Sequence, residues 1–332
     1  NKAEKKNEND ESVPTRASVK FKDLIEKHAV FFSIVLALLM GIIAVFFYET
    51  IRYPLAFMSV TPEKWPGLVI SGLFCGIFII YPVVLTAAEL YLLFRTKGRE
   101  RLFRRGIIFD IITFSLGILY SFLYLGIAQS VMFSSDWNAT LRNAELHTPI
   151  FTESWPTLAV IACIGAAGYF IIGFCPLKKL PPLVIVAGMA AMYLSAAESI
   201  LWGIQICKSP EYLILLLLPF NCIVITAKTV IYKVSEWKKI PRQTYKIDRI
   251  PFLRGCNRLL MKSERWSIAA LLLMWPIAGV LIALLTLLGQ APDAVIKAWT
   301  ETSDWNLSAK TAPPNIYYDE HYLCTAAAGG HR

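Results

Sequence analysis

Seven apolar segments dominate this chain, and each of them is long enough to cross a lipid bilayer. They cover residues 29–48, 67–94, 107–133, 157–175, 182–207, 212–232 and 266–288. A helix of about 20 apolar residues spans the roughly 30 Å hydrocarbon core of a bilayer. Hydrocarbon offers no partner to backbone N–H and C=O groups, so each segment must be helical. The predicted fold class is therefore an all-α polytopic transmembrane helix bundle with about seven spans.

The composition agrees with a chain that is solvated by lipid. Of the 332 residues 56% are hydrophobic and 17% are charged, and the mean hydropathy is +0.52. Soluble domains carry about 25% charged residues. We expect a charged N-terminal tail over residues 1–28, a helix bundle over 29–288 and a polar C-terminal tail over 289–332. Because the chain begins at Asn1 rather than Met, we interpret it as a fragment whose last segment continues further.

Basic residues concentrate in alternate connections between the apolar segments. The N-terminal tail holds seven Lys and Arg residues, the 95–106 loop six and the 233–265 loop ten. The positive-inside rule then places the N-terminus in the cytoplasm and the C-terminus outside. Lys228 lies within the sixth segment, and we expect its side chain to snorkel towards the cytoplasmic interface. The net charge of +9 is explained by this topology, so no nucleic-acid partner is predicted.

Glu198 is the strongest candidate for a functional residue, because a carboxyl group in hydrocarbon is costly and commonly functional. A stripe of small residues, which allows another helix to approach closely, runs beside it and consists of Ala187, Ala191, Ser195 and Ser199. Glu198 lies one residue off this stripe and is expected to point into the bundle. One interpretation is a proton or cation site, or an anchor for a polar substrate. The alternative is a structural, protonated carboxyl group that is hydrogen-bonded to Gln129 or Asn221.

Glu89 and Asp110 are weaker candidates for the same intramembrane polar site. Both lie close to the predicted cytoplasmic ends of their segments. Arg95 and Arg105 are near them in sequence, and ion pairs are common at the ends of spans. We interpret the two carboxylates as halves of structural ion pairs with these arginines.

The C-terminal tail holds a second kind of candidate site. His321, Cys324 and His331 are three potential metal ligands, with Asp319 or Glu320 as a fourth. His-x-x-Cys spacing is compatible with zinc, and a Cys–His pair is equally compatible with a nucleophile and its base. An ordered loop without chemistry is the structural alternative. The spacing identifies no cofactor.

The basic 233–265 loop suggests contact with anionic lipid head groups on the inner leaflet. A topological signal with no further role explains the same charges equally well. The sequence contains no GxxxxGK[ST] phosphate-binding loop and no GxSxG nucleophile elbow, and its four histidines do not favour a haem site.

The tail Glu320-His321-Tyr322-Leu323-Cys324-Thr325-Ala326-Ala327-Ala328-Gly329-Gly330-His331 resembles a motif of an uncharacterised family of multi-pass membrane proteins from Gram-positive bacteria. The stretch at 298–305 is similar to that family as well. The resemblance implies a bacterial cytoplasmic membrane and a basic continuation after Arg332, which disagrees with an external tail. It implies no known activity. The leading hypothesis is a binding or transport-related protein with a polar site near Glu198; a membrane-surface enzyme and a non-catalytic accessory subunit are the alternatives.

Overall fold

The computed structural model describes residues 28–52, 64–95, 99–241, 245 and 249–318, with backbone alone for 99–105. Its contacts divide the chain into two compact units, Asn1–Leu85 and Thr86–Arg332.

Helices make up most of the described residues. They are α1 (Ala29–Arg52), α2 (Trp65–Phe94), α3 (Arg99–Leu123), α4 (Trp155–Phe174), α5 (Pro182–Ile206), α6 (Leu217–Trp237), α7 (Pro251–Leu259), α8 (Trp266–Leu287) and α9 (Ala294–Thr300). A π turn at Gly76–Ile80 interrupts α2, a second at Tyr124–Ala128 prolongs α3, and a 3-10 turn at Pro210–Leu216 leads into α6. In the described part of the chain seven helices, all except α7 and α9, are long and apolar enough to span a membrane. The predicted fold class and the number of seven spans are confirmed. The third span ends at Ala128 rather than at residue 133, since residues 131–132 form a strand.

In the first unit, α1 and the start of α2 pack backbone against backbone. A Cβ atom added to Gly41 would lie 2.3 Å from the backbone nitrogen of Gly76 and 2.4 Å from the carbonyl oxygen of Gly72. No other residue type permits such an approach, and small residues serve this purpose in membrane helix pairs. The glycines therefore determine where the two helices cross.

In the second unit, α5 is the central helix and packs against α4, α6 and α8. Its Ile185 and Met189 side chains are completely buried. The small residues of α5 face α4: a Cβ atom on Gly165 would lie 2.2 Å from the Cβ of Ser195, and one on Gly168 would lie 2.5 Å from the carbonyl oxygen of Gly188. The stripe seen in the sequence is thus a helix contact.

Two segments that follow α3 and α8 fold together at one end of the second unit. We call residues 129–151 and 289–318 the cap. Strand β1 (Val131–Met132) pairs in parallel with β2 (Leu146–His147), and α9 belongs to the second segment. The ring of His147 joins the two segments: its Nδ1 lies 2.7 Å from the carboxylate of Asp304 and its Nε2 lies 2.8 Å from the carbonyl oxygen of Ala139.

The opposite end of the second unit carries the basic connections, and we call it the basic end. Here α7 is held by Asn257, whose side-chain oxygen accepts a hydrogen bond of 3.0 Å from the backbone N–H of Leu183 at the start of α5. The indole N–H of Trp237 donates to the carbonyl oxygen of Met261 at 3.1 Å. These bonds attach the segment between α6 and α8 to the start of α5 and to the end of α6.

Candidate functional site

A cavity of about 460 Å³ lies in the second unit, at the end of the spans that the cap covers. Helices α3 to α6 and the cap all contribute to its wall. The lining residues that the following argument uses are Trp155, Cys163, Ser195, Glu198, Trp202, Cys222 and Trp299. Most of the remaining wall is apolar, with Phe114, Ile118 and Leu125 as examples. Its volume is in the range of about 300–1,000 Å³ that is typical of small-molecule sites.

Three residues that line this cavity each carry a buried polar atom without a hydrogen-bond partner among the described residues. These atoms are Oε2 of Glu198, Nε1 of Trp202 and Nε1 of Trp299. Glu198 and Trp202 belong to the second half of α5, and Trp299 belongs to α9. Buried polar groups are nearly always satisfied in native proteins, and an orphan costs about 1–3 kcal/mol. One acceptor and two donors are thus unsatisfied in residues around one cavity.

The structure does not place Glu198 against either of the amides that we considered as structural partners. Gln129 accepts a hydrogen bond of 3.0 Å from the hydroxyl of Tyr212. Asn221 donates to the hydroxyl of Thr86 at 2.9 Å. Gln129 belongs to the cap rather than to the site around Glu198.

A second cavity of about 290 Å³ continues from the first towards the basic end. The two cavities share Phe114, Ala166, Ser195 and Cys222 in their walls. Asp110 and Tyr169 line the second cavity. Polar hydroxyl groups also border it, from Ser115, Ser195 and Thr226.

Asp110 belongs to a buried charged cluster, which we call the triad and which consists of Glu89, Asp110 and Lys228. The ammonium group of Lys228 donates to Oε2 of Glu89 at 2.5 Å and also to Oδ1 of Asp110. The hydroxyl of Tyr169 donates to Oδ2 of Asp110 at 2.5 Å, and that of Thr113 to Oε1 of Glu89 at 3.5 Å. The side chains of Glu89, Asp110 and Lys228 are 0%, 2% and 6% exposed.

The triad corrects two of our expectations. Lys228 does not snorkel, because its ammonium group pairs with two carboxylates inside the bundle and its side chain is 6% exposed. Glu89 and Asp110 both pair with Lys228, a partner that we did not expect. Arg95 contacts the ring of Tyr91, and the side chain of Arg105 lies outside the described residues.

The tail candidates His321, Cys324 and His331 lie outside the described residues, so a metal site there stays a prediction. Within the ranges that the structure describes, no group of three or more His, Cys, Asp or Glu side chains is arranged to hold a metal ion.

Sequence reasoning missed the tryptophans of the cavity and the role of Lys228. Trp202 lies near the end of its predicted segment, and Trp299 lies in the predicted tail. The charge at position 228, inside a predicted apolar segment, was the signal that pointed to a buried cluster.

Seven membrane-length helices in the described part of the chain define a polytopic helical membrane protein, and two adjacent cavities lie in its second unit. The chain matches the DUF6688 N-terminal domain over residues 72–316, and it belongs to this family, which is uncharacterised. The matched range includes both cavities, the triad and all of the cap except residues 317 and 318. No curated protein matches the chain. No solved structure matches it either.

Proposed function

We propose that this membrane protein binds an amphipathic molecule in the cavity at Glu198, as the recognition step of transport or sensing. The observation that carries the proposal is the set of three unpartnered polar atoms around one largely apolar cavity. Apolar side chains of α3 and α4 suit a hydrocarbon body, because its burial is favourable by about 25 cal/mol per Å². The polar atoms are then left for the head group.

The chemistry of the wall supports one kind of head group. Glu198 supplies an acceptor, and three indole rings, of Trp155, Trp202 and Trp299, line the same cavity. Aromatic faces attract ammonium groups, while the indole N–H groups of Trp202 and Trp299 require an acceptor oxygen. A head that combines an ammonium group with an acceptor oxygen meets both demands, as in a zwitterionic lipid with a single chain.

The test is native mass spectrometry of the full chain in a maltoside detergent, titrated with lysophosphatidylethanolamine. Lysophosphatidylglycerol, which lacks the ammonium group, is the comparison probe. We expect Glu198→Gln to weaken binding of the first probe about tenfold, the equivalent of one charge-assisted hydrogen bond. Binding of the second probe should be weak and unchanged.

Glu211→Gln is the matched control, because Glu211 lies in the turn before α6 and does not line the cavity. This variant should bind like the parent protein. Equal binding of both probes, or equal loss in both variants, would contradict a head-group site at Glu198.

We also propose that the 233–265 loop contacts anionic lipids through α7. The exposed side chains of this helix support the proposal. Phe252 and Leu259 are 77% and 71% exposed on this short helix, and Arg254 and Arg258 are exposed beside them. An amphipathic helix with apolar and basic side chains lies in the interface plane of a membrane. The apolar residues would enter the acyl boundary, and the arginines would contact head groups.

We further propose that the membrane is a bacterial cytoplasmic membrane, with the basic end inside and the cap outside. The distribution of Lys and Arg supports this orientation. An enzyme or metal protein that uses His321, Cys324 and His331, and an accessory subunit without chemistry of its own, stay alternative proposals.

A further inference from the structure

The charges of the triad do not balance. Two carboxylates, of Glu89 and Asp110, surround one ammonium group, that of Lys228. With all three groups ionised the cluster carries one net negative charge, at side-chain exposures of 0% to 6%. An uncompensated charge in such surroundings costs several kcal/mol, and proteins avoid it by binding a proton instead.

No described neighbour supplies the missing positive charge. The titratable side chains that line the two cavities beside the triad are Tyr169 on α4, Glu198 on α5 and Cys222 on α6, and none of them is a cation. Lys233 on α6 is a buried cation, but its ammonium group lies 3.2 Å from the carboxylate of Glu236. Arg95 on α2 contacts the ring of Tyr91, and the side chain of Arg105 on α3 lies outside the described residues. We propose that the triad binds one exchangeable proton, which reaches it through the second cavity.

Hydrogen bonds indicate which carboxyl group holds this proton. Asp110 accepts one bond from Lys228 and one from Tyr169, so both of its oxygens are stabilised as a carboxylate. Glu89 accepts from Lys228, but among the described side chains its second oxygen has a long contact of 3.5 Å to Thr113. Glu89 is the less stabilised carboxylate and therefore the holder of the proton.

The second cavity supplies the route of exchange. Asp110 and Tyr169 line it, and it shares walls with the cavity at Glu198. Removal of the proton leaves one negative charge on the triad, beside the second cavity. The net charge of the triad therefore alternates between zero and minus one. Proton binding here does not depend on which molecule, if any, occupies the first cavity.

Infrared spectroscopy counts the bound protons, because the carbonyl stretch of a protonated carboxyl group is separate from that of a carboxylate. The full chain is studied in lipid nanodiscs at neutral pH, with Glu198→Gln as the background so that Glu198 adds no band. We expect one protonated carboxyl group in this background, with a band that shifts on transfer to D2O. Adding Glu89→Gln or Asp110→Asn leaves a neutral pair with Lys228, and the band should disappear.

Adding Lys228→Met instead removes the one cation, so both carboxyl groups should bind protons and the band should double. Carbon-13 labelling of glutamate carboxyl groups should shift the band of the background protein, since Glu89 holds the proton. A band that is unchanged by Glu89→Gln and by Asp110→Asn would overturn the proposal, and so would the absence of a shift in D2O. Because the Glu89→Gln and Asp110→Asn variants retain a balanced ion pair, the test does not rely on the stability of Lys228→Met.

Discussion

Single polar side chains hold the cap to the helices beneath it, and Gln205 at the end of α5 is the clearest example. Its side chain is completely buried. Its Nε2 donates to the carbonyl oxygens of Pro149 and Trp299 at 2.8 and 3.2 Å, and its Oε1 accepts from the backbone N–H of Leu307 at 2.8 Å. One amide thus satisfies backbone groups from both cap segments. Asp304 has a similar role at His147 and adopts a left-handed backbone with φ of 70°.

We predict that Gln205→Leu destabilises the protein by about 3 kcal/mol or more, because several buried backbone groups lose their partner at about 1 kcal/mol or more each. Thermal unfolding in detergent measures the loss, and hydrogen exchange at the amide of Leu307 localises it to the cap. Gln290→Leu, which removes one hydrogen bond from Thr157, should cost far less. Equal effects of the two variants would show that Gln205 does not join the cap segments.

At the scale of elements, sequence patterns identified the spans but not their contacts. The small-residue stripe of α5 was visible in the sequence, whereas its partner, the Gly165 and Gly168 face of α4, became evident from the packing. The residues that form the amphipathic α7 were predicted from the sequence to be part of a basic loop. Its helix is short, and tertiary hydrogen bonds through Asn257 hold it in place. Isolated helices of this length are not stable in water.

The lipid proposal for α7 predicts a preference for anionic bilayers. A variant that retains Cys256 as its one cysteine is labelled with an environment-sensitive fluorophore and reconstituted in phosphatidylglycerol or phosphatidylcholine. Emission should indicate a more apolar setting in phosphatidylglycerol. Arg254→Gln combined with Arg258→Gln should remove about 2 kcal/mol of that preference, at about 1 kcal/mol per basic residue.

Arg142→Gln, a change in the cap, serves as the control and should leave the emission unchanged. High salt should weaken the preference in the parent protein, because exposed charges are screened. Identical emission in the two lipids would contradict a lipid-binding role for α7.

At the scale of the whole second unit, the contact between the two cap segments constrains the number of spans between them. Its two segments follow α3 and α8, and they are joined by contacts such as that of His147 with Asp304. The two segments therefore lie on one side of the membrane. Four helices between them, α4, α5, α6 and α8, are long enough to span, and an even number returns the chain to the same side.

We predict that the cap and α7 face opposite sides of the membrane. A Tyr317→Cys variant without other cysteines should react with a membrane-impermeant maleimide in intact cells, since Tyr317 is 76% exposed. A variant that retains Cys256 alone should react after lysis and not before. The reverse pattern would invert the proposed orientation, and labelling of both in intact cells would contradict the span count.

The sequence by itself determined the membrane class and the seven spans, because the hydrocarbon core requires long apolar helices whatever their neighbours are. It also marked Glu198, Glu89 and Asp110 as charges in costly surroundings. Only the tertiary structure decided what those charges meet. Lys228 is separated from Glu89 by 139 positions and from Asp110 by 118, and no local pattern encodes contacts between residues on three different helices. The cavity at Glu198 has the same origin, since its walls come together only when α3 to α6 and the cap have packed.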